Sequence, residues 1–290
     1  MKVQPRFASL LALGVLLLFM TACNIPGIGG ASQSTLALLQ SSDSAMKQLK
    51  TAHVVMNSNS TSTTNIGTSS SSKPTQSTVK MKMTGDIALP NQSSMQLTLN
   101  TGTANQNINI TIAMIMTGQQ LYIQNSQGKW YQLNNSVLKG SSSNPFAGSN
   151  VMNYNQLLPL AQKAKFTDRG TETLNGTSLR HISVVFGKDA LADLLKATGQ
   201  NLPSNQQADI NQLMSKINVS KLTLDLWIDE TTSYVHRLEL NMDLTINTGA
   251  TAGITSDSDI VIDYSKFNEP VNITAPAGAT PTDSILSVFS

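Results

Sequence analysis

Apolar and polar residues alternate along much of the chain beyond residue 79. In the first such segment, Val79, Met81 and Met83 alternate with Lys80 and Lys82. Successive side chains of a strand point to opposite faces of a sheet, so this pattern predicts a strand with one apolar face. The same reasoning predicts a first strand opening at 53–56 and further strands at 95–99, 108–116, 121–123, 130–133, 166–174, 177–186, 222–228, 238–246 and 260–264.

Most of these segments are joined by short connections, which predict antiparallel pairing because parallel strands need crossovers of a dozen or more residues. Asn175-Gly176 is a strong hairpin signal, and the segment 230–233 turns the chain a second time. Asn57–Thr78 is dominated by Ser and Thr, and its apolar residues are Ile66 and Pro74. Its composition predicts a mobile loop or an irregular hairpin tip.

A few helices are expected beside the strands. Ser34–Lys50 combines helix-forming residues with an apolar side. Lys188–Thr198 is followed by a glycine, and a further helix begins with a capping-box spacing at Ser204. A short helix is expected within Asn153–Lys165.

The fold class that follows is α+β, with about ten antiparallel strands in one strongly curved sheet, a half-barrel covered by the helices. Such a sheet encloses either a packed core or an apolar cavity, and the pattern alone leaves both open. Methionine is frequent on the apolar face, and its flexible side chain suits surfaces that accept varied apolar partners. The candidate cavity residues are Met83, Ile87, Leu97, Leu99, Ile112, Met114, Leu224, Leu226, Leu240, Met242 and Leu244.

The N-terminus has the features of an export signal. Lys2 and Arg6 precede an apolar run that is shorter than the roughly 20 residues a spanning helix needs. The residues that follow, ending at Cys23, resemble the bacterial lipobox, with Met20 where Leu is usual. We therefore expect that residues 1–22 are removed and that acyl chains on Cys23 anchor the mature protein to the outer face of the bacterial cell membrane, with 23–33 as a lipidated tether.

Composition favours one exported domain. The chain has 19 basic and 17 acidic residues, and loss of Lys2 and Arg6 leaves equal numbers, so nothing indicates nucleic-acid binding. One cysteine excludes a disulfide framework, so the fold depends on its core. We expect a single domain over 34–274 and a loose tail over 275–290, in which Ile285, Leu286, Val288 and Phe289 could instead dock.

Two segments near the C-terminus resemble one lipoprotein family. Leu226–Glu230 followed by Val235–Leu240 resembles a hairpin of the LprG/LppX-type lipoproteins described in mycobacteria, and Tyr264–Ile273 is similar to their closing segment. The order of elements agrees over most of the mature chain. This resemblance implies a LolA/LolB-like fold that binds acylated lipids or glycolipids, for transport or storage in the cell envelope.

The resemblance also bears on partners. A lipid exporter or acceptor protein is a candidate partner, and we expect a monomer. No cofactor and no metal are predicted.

Two other functions stay open. An enzyme is not expected, because His53, His181 and His236 show no metal-ligand spacing and no nucleophile elbow or phosphate loop is present. Asp257-Ser258-Asp259 is better explained as a solvated strand start than as a cation site.

The second alternative is a surface-anchored protein-binding or sensory module with a solid core and no lipid cargo. This alternative depends on Trp227, which lies on the face opposite to Leu226 and Ile228 and could be an exposed aromatic residue of an interface. Packing under a loop would also explain it.

Overall fold

A computed structural model of the protein describes residues 33–65, 74–103, 106–133, 164–187, 216–247, 252–284 and 286–288. The expected signal peptide, Cys23 and the tether up to residue 32 lie outside these residues. The helices expected at 188–198 and from 204 also lie outside them, as does 153–163. Within the described residues, no helix is long and apolar enough to cross a membrane.

Twelve strands dominate the described part of the chain. One α-helix, α1, spans Gln33–Lys47, close to the helix predicted from residue 34, and a 3-10 helix spans Leu286–Val288. The strands are β1 (Thr51–Asn65), β2 (Thr75–Ala88), β3 (Gln92–Thr103), β4 (Gln106–Thr117), β5 (Gln120–Gln124), β6 (Trp130–Leu133), β7 (Ala164–Leu174), β8 (Thr177–Phe186), β9 (Ile217–Ile228), β10 (Val235–Asn247), β11 (Gly253–Ser265) and β12 (Thr280–Thr282).

All twelve strands form one open, curved sheet in the order β12-β6-β5-β4-β3-β2-β1-β11-β10-β9-β8-β7. Strands β1 to β6 make one antiparallel meander and β7 to β11 make another. The two meanders meet where β1 pairs antiparallel with β11, and β12 adds in parallel to β6. The predicted curved antiparallel sheet is confirmed, but it has twelve strands instead of about ten, and the described residues hold a single α-helix.

The largest correction concerns Asn57–Thr78, for which the composition predicts a mobile loop or an irregular hairpin tip; residues 66–73 of this segment lie outside the described part of the chain. β1 continues through it to Asn65, and β2 begins at Thr75. Each of these polar residues of β1 pairs with a residue of β11, and most also pair with β2. Ser and Thr can occupy strand positions when both backbone edges are paired. The composition of this segment therefore indicated the wrong structure, whereas its two-residue period is that of a strand.

Asn175 and Gly176 turn the chain between β7 and β8, as predicted. Both have positive φ values, 51° and 81°, which is the conformation that a two-residue type I′ turn requires. The C-terminal segment follows the docked alternative where it is described. Thr280–Thr282 forms β12, and Val288 is fully buried.

The core lies on one face of the sheet, which we call the inner face. Its buried members include Val54, Leu238 and Ile262, and α1 adds Leu38 and Leu39 from the side. The outer face carries polar and charged residues, which pair across strands. Among these pairs, the Arg237 Nε atom lies 2.6 Å from the Asp263 Oδ1 atom and His53 Nδ1 lies 2.7 Å from Asp86 Oδ1. The sheet therefore separates an apolar side from a polar one.

Gly85 marks the tightest packing of the inner face. A Cβ atom at this position would lie 2.0 Å from the Ser94 carbonyl oxygen and 2.8 Å from the Met95 sulfur. The missing side chain lets β3 approach and lets Met95 fold over the glycine. Gly85 thus allows β3 and the Met95 side chain to pack closely at the inner face.

Candidate functional site

The strand register places all predicted cavity residues on the inner face. Directly opposed residues of neighbouring strands point to the same side. Leu97 lies opposite both Met83 and Ile112, and these three form one row across β2, β3 and β4. A second row crosses the other meander and contains Leu224, Leu240 and Ile260. The remaining candidates fall on the same face: Ile87, Leu99, Met114, Leu226, Met242 and Leu244.

The inner face has a buried half and an open half. The buried half contains the starts of β1, β3 and β10 and the ends of β2, β4 and β11, and Ile262 there is 2% exposed. The open half lies at the other ends of the same strands. Val79, Ile108 and Ile110 are 40%, 51% and 37% exposed there. The candidates divide accordingly, because Met83, Ile87, Met114, Leu224 and Leu226 are buried and Leu97, Leu99, Ile112, Leu240, Met242 and Leu244 are half-buried.

Contact between β2, β3 and β4 makes the exposed residues contiguous. Val79 and Ile108 both lie opposite Thr101, and Met81 and Ile110 both lie opposite Leu99. Contiguous exposed apolar residues are rare on a soluble protein unless they meet a ligand, a partner or a membrane. The open half is therefore the candidate binding surface.

Four serines cross the middle of the open half and hydrogen-bond to one another. The Ser60 hydroxyl lies 2.9 Å from that of Ser258, and the Ser62 hydroxyl donates to that of Ser256 over 3.2 Å. Longer contacts of 3.4 Å and 3.5 Å join Ser256 to Ser60 and Ser258. We call Ser60, Ser62, Ser256 and Ser258 the serine strip.

Apolar side chains flank the serine strip on both sides, except at Ser62, which lies opposite Ser77 of β2. On the β2 side, Val79 lies opposite Ser60, and on the β10 side Met242 lies opposite Ser258 and Leu244 opposite Ser256. Among the described residues of β1 to β4 and β9 to β11, no Asp, Glu, Lys or Arg side chain shares this face. The surface is thus largely apolar, with an uncharged polar region formed by the serine strip and, beside Ser62, by Ser77 and Thr103.

Sequence reasoning missed the serine strip, although a signal was present. Ser58, Ser60 and Ser62 continue the two-residue period of Val54 and Met56. Ser258 was considered only as a neighbour of two candidate cation ligands. The structure places Ser258 on the inner face, and Asp257 and Asp259 on the outer face. No cluster of three or more His, Cys, Asp or Glu side chains suited to a metal ion occurs among the described residues.

The outer face carries a separate polar cluster around Trp227. The His181 ring stacks on the Trp227 ring with centroids 4.2 Å apart. His181 Nδ1 lies 2.8 Å from Glu172 Oε1, and its Nε2 lies 2.9 Å from Asp225 Oδ1. The indole N–H of Trp227 donates to Glu172 Oε2 over 2.9 Å. These hydrogen bonds lower the pKa of Glu172, the bond to His181 most, and they link β7, β8 and β9.

A shallow groove of about 480 Å³ lies over this cluster. Its lining includes Arg169, Lys221 and Asn241 beside the ring pair, and Val185 is 43% exposed. Trp227 is half-buried, so neither full exposure nor full burial applies to it. It packs on a histidine of the neighbouring strand.

His236 lies at the start of β10. The register of β10 against β9 shifts between Val235 and Arg237, and His236 lies in this irregularity. Its ring meets Phe267 edge to face, with centroids 4.9 Å apart. Burial lowers the pKa of His236, while the Asp229 carboxylate opposes that shift.

Comparison with known proteins places the chain in a family. The model of a family of unknown function, DUF6612, matches residues 34–282. The chain belongs to this family. The DUF6612 match spans the single domain predicted over 34–274, and no curated protein matches the chain.

Several solved structures are similar to this DUF6612 chain at low identity. The lipoprotein LppX of Mycobacterium tuberculosis is 15% identical, with a TM-score of 0.42, over 84% of this chain and 100% of that one. LprF of Mycobacterium bovis is 16% identical, with a TM-score of 0.41, over 86% and 100%. A putative outer membrane lipoprotein-sorting protein domain of Vibrio parahaemolyticus is 10% identical, with a TM-score of 0.19, over 81% and 93%.

These comparisons leave the exact LprG/LppX family membership a prediction, since the family shown is DUF6612. Likeness at TM-scores below 0.5 adds nothing to what the side chains of this chain indicate.

Proposed function

We propose that the protein binds acylated lipids or glycolipids on the open half of its inner face, as an exported lipoprotein of the cell envelope. The acyl chains lie on the apolar residues of this surface. Lipidation of Cys23 holds the protein at the outer face of the membrane, where it collects, stores or transfers its cargo. No catalytic step is part of this proposal.

The contiguous exposed apolar residues of the open half carry the proposal. A half-exposed isoleucine on a strand forgoes part of the roughly 25 cal/mol that each square ångström of buried apolar surface contributes. Ile108 and Ile110 are 51% and 37% exposed, so a ligand that covers them recovers this free energy. Acyl chains are suited to the task because they add only apolar area. The half-buried methionines and leucines beside them can adapt to chains of different shape.

Lipid extraction from the purified protein tests the proposal. The full chain with Cys23→Ala, which cannot be lipidated, is purified from its own host, and its bound lipids are identified by mass spectrometry. We expect co-purifying lipid with acyl chains. An Ile110→Asp variant should lose most of it, because a carboxylate on the open half would have to lose its water against apolar chains.

Asn109→Asp is the matched control for this experiment. Asn109 is the neighbour of Ile110 on β4, is exposed and points to the outer face. It places the same charge one residue away on the other side of the sheet and should retain the lipid. Equal lipid content in both variants, or none in the parent protein, would refute binding on the inner face.

A second candidate function is supported by the groove around Trp227. Exposed Val185 and half-buried Trp227 lie together on the outer face, as a site for a protein partner would require. A Trp227→Ala variant separates the two functions. Normal lipid content in this variant excludes Trp227 from the cargo path, and a lower content would move the cargo site to the outer face.

A further inference from the structure

We propose that the serine strip binds the uncharged polar centre of a two-armed lipid, such as the ester and hydroxyl groups of a diacylglycerol unit. One apolar arm then lies on each side of the strip. This inference rests on the proposed lipid binding and adds the class of lipid and its orientation.

The dimensions of the strip suit a small polar centre. Neighbouring strands lie about 4.8 Å apart, and residues on one face of a strand repeat every 6.6 to 6.8 Å or so. Ser60 and Ser62 of β1 lie beside Ser258 and Ser256 of β11, so the hydroxyls cover a patch about one strand spacing wide and one repeat long. Ser77 of β2 continues the polar row beside Ser62. A patch of this size accommodates a few ester or hydroxyl groups.

The hydroxyls retain hydrogen-bonding capacity for such a ligand. Each serine hydroxyl has one donor and two acceptor positions, so bonds among the four of them use at most half of the acceptor positions. A hydroxyl can also rotate to direct its proton to a carbonyl oxygen of the ligand. The four contacts among the serines can use all four hydroxyl donors. The strip therefore accepts from an alcohol as it stands, and it donates to an ester when a hydroxyl rotates away from another serine.

The absence of charge near the strip selects against a phosphate. No Asp, Glu, Lys or Arg side chain shares the inner face of the described strands β1 to β4 and β9 to β11. A phosphate laid on the strip would lose part of its hydration and meet no cation, which is costly in an apolar surrounding. An uncharged ester or hydroxyl group loses far less hydration free energy at this surface, and it can hydrogen-bond to the serines. The polar centre should thus be neutral.

The flanking residues supply a place for each arm. On one side of the strip, Val79 and Met81 lead into the apolar rows of β2, β3 and β4. On the other side, Met242 and Leu244 lead into β9 and β10. A one-armed ligand would leave one of these surfaces uncovered. Two arms joined by a polar centre match the apolar, polar, apolar order across the sheet.

The test compares three probes: dioleoylglycerol and dioleoyl phosphatidylglycerol, which have the same two acyl chains and differ in their polar part, and octadecene, which is a single apolar chain without a polar part. Their affinities for the full chain with Cys23→Ala are measured by displacement of a fluorescent acyl probe. We expect dioleoylglycerol to bind more tightly than phosphatidylglycerol. Replacing Ser60 and Ser258 with alanine should weaken dioleoylglycerol about tenfold, the loss of one or two hydrogen bonds, and leave octadecene unchanged.

A Thr98→Val, Thr111→Val double variant is the control. These two threonines face each other across β3 and β4 on the outer face, with hydroxyls 3.5 Å apart, so the variant also removes a cross-strand hydroxyl pair. It should bind all three probes as the parent does. Urea unfolding of both double variants shows whether a change in binding is instead a change in fold.

The outcomes separate this inference from the proposed function. If octadecene binds but dioleoylglycerol binds no more tightly, or is unaffected by the loss of the serines, the strip is not a polar subsite while lipid binding stands. Tighter binding of phosphatidylglycerol would also overturn the inference. If the parent binds none of the probes, both the proposed function and this inference are wrong.

Discussion

A pair of isoleucine substitutions tests whether the inner face has one half that serves as core and another that serves as surface. Ile262 on β11 is 2% exposed and lies between Met56 and Leu238. Ile108 on β4 is 51% exposed. Threonine is the replacement at both sites, because it keeps the branched Cβ atom that suits a strand. Only the surroundings of the side chain then differ.

The expected cost follows from what each substitution removes. Ile→Thr replaces two carbon groups with one hydroxyl, and two buried groups are worth about 1.6 kcal/mol. At Ile262 the new hydroxyl is also buried, which adds roughly 1 to 3 kcal/mol if it finds no partner. The total is about 2.5 to 4.5 kcal/mol. At Ile108 about half of the apolar loss remains and the hydroxyl stays in water, so the cost is below about 1 kcal/mol.

Urea unfolding of the full chain with Cys23→Ala measures both free energies, and the slope of each transition shows whether the unfolded states are comparable. Added lipid should raise the unfolding free energy of the parent and less so that of Ile108→Thr, since the ligand binds only the folded state. If Ile108→Thr costs as much as Ile262→Thr, the open half is part of the core, and the reasoning behind the binding surface is refuted.

Three further predictions concern single residues. Gly85→Ala should lower the free energy of unfolding by about 1 to 3 kcal/mol in a urea titration, because its Cβ meets the backbone of β3, whereas Gly102→Ala meets chiefly the movable Asn107 side chain and should cost less. Hydrogen bonds from Arg180 hold the pKa of Asp168 below 3.8. The stabilisation from these bonds is therefore complete above that pH and is lost as the pH falls below it. The urea midpoint of Asp168→Asn should change less over that range than the urea midpoint of the parent. Burial lowers the pKa of His236 below 6.5, so the unfolded chain binds the proton more readily and the parent should lose stability as the pH falls below 6.5. Unfolding of His236→Phe, followed across that pH, should lack this loss. An identical pH profile in the parent and the variant would contradict the role of burial.

The sheet could be predicted from the sequence wherever apolar residues repeat at every second position. Ile108, Ile110 and Ile112 alternate with polar residues, and the strand lies where this pattern indicates. The hairpin at Asn175-Gly176 followed from a local rule that depends on backbone conformation alone. Local periodicity also placed all eleven candidate residues on one face, since that face is fixed by the pleat of each strand.

Pairing between distant segments could not be predicted in this way. Val54 of β1 lies opposite Tyr264 of β11, and nothing local to either residue identifies the other. The polar part of β1 was missed for a related reason: Ser60 and Ser62 look like loop residues until their partners Ser258 and Ser256 are known. The division into a buried and an open half also depends on packing and not on period, because Ile108 and Ile262 look alike in the sequence.

The contact between β1 and β11 has a consequence for the proposed export. His53 and Ser265 are paired in the sheet although more than 200 residues separate them in the chain, so this pairing closes a very long loop. Pairings of such high sequence separation form slowly. A chain that crosses a membrane from its N-terminus delivers β1 first and β11 near the end. The β1 edge of the first meander is therefore unpaired until β11 arrives. Residues 57–65 of β1 are polar and rich in serine and threonine. During the delay they make this edge less prone to pair with another chain than an apolar strand would be.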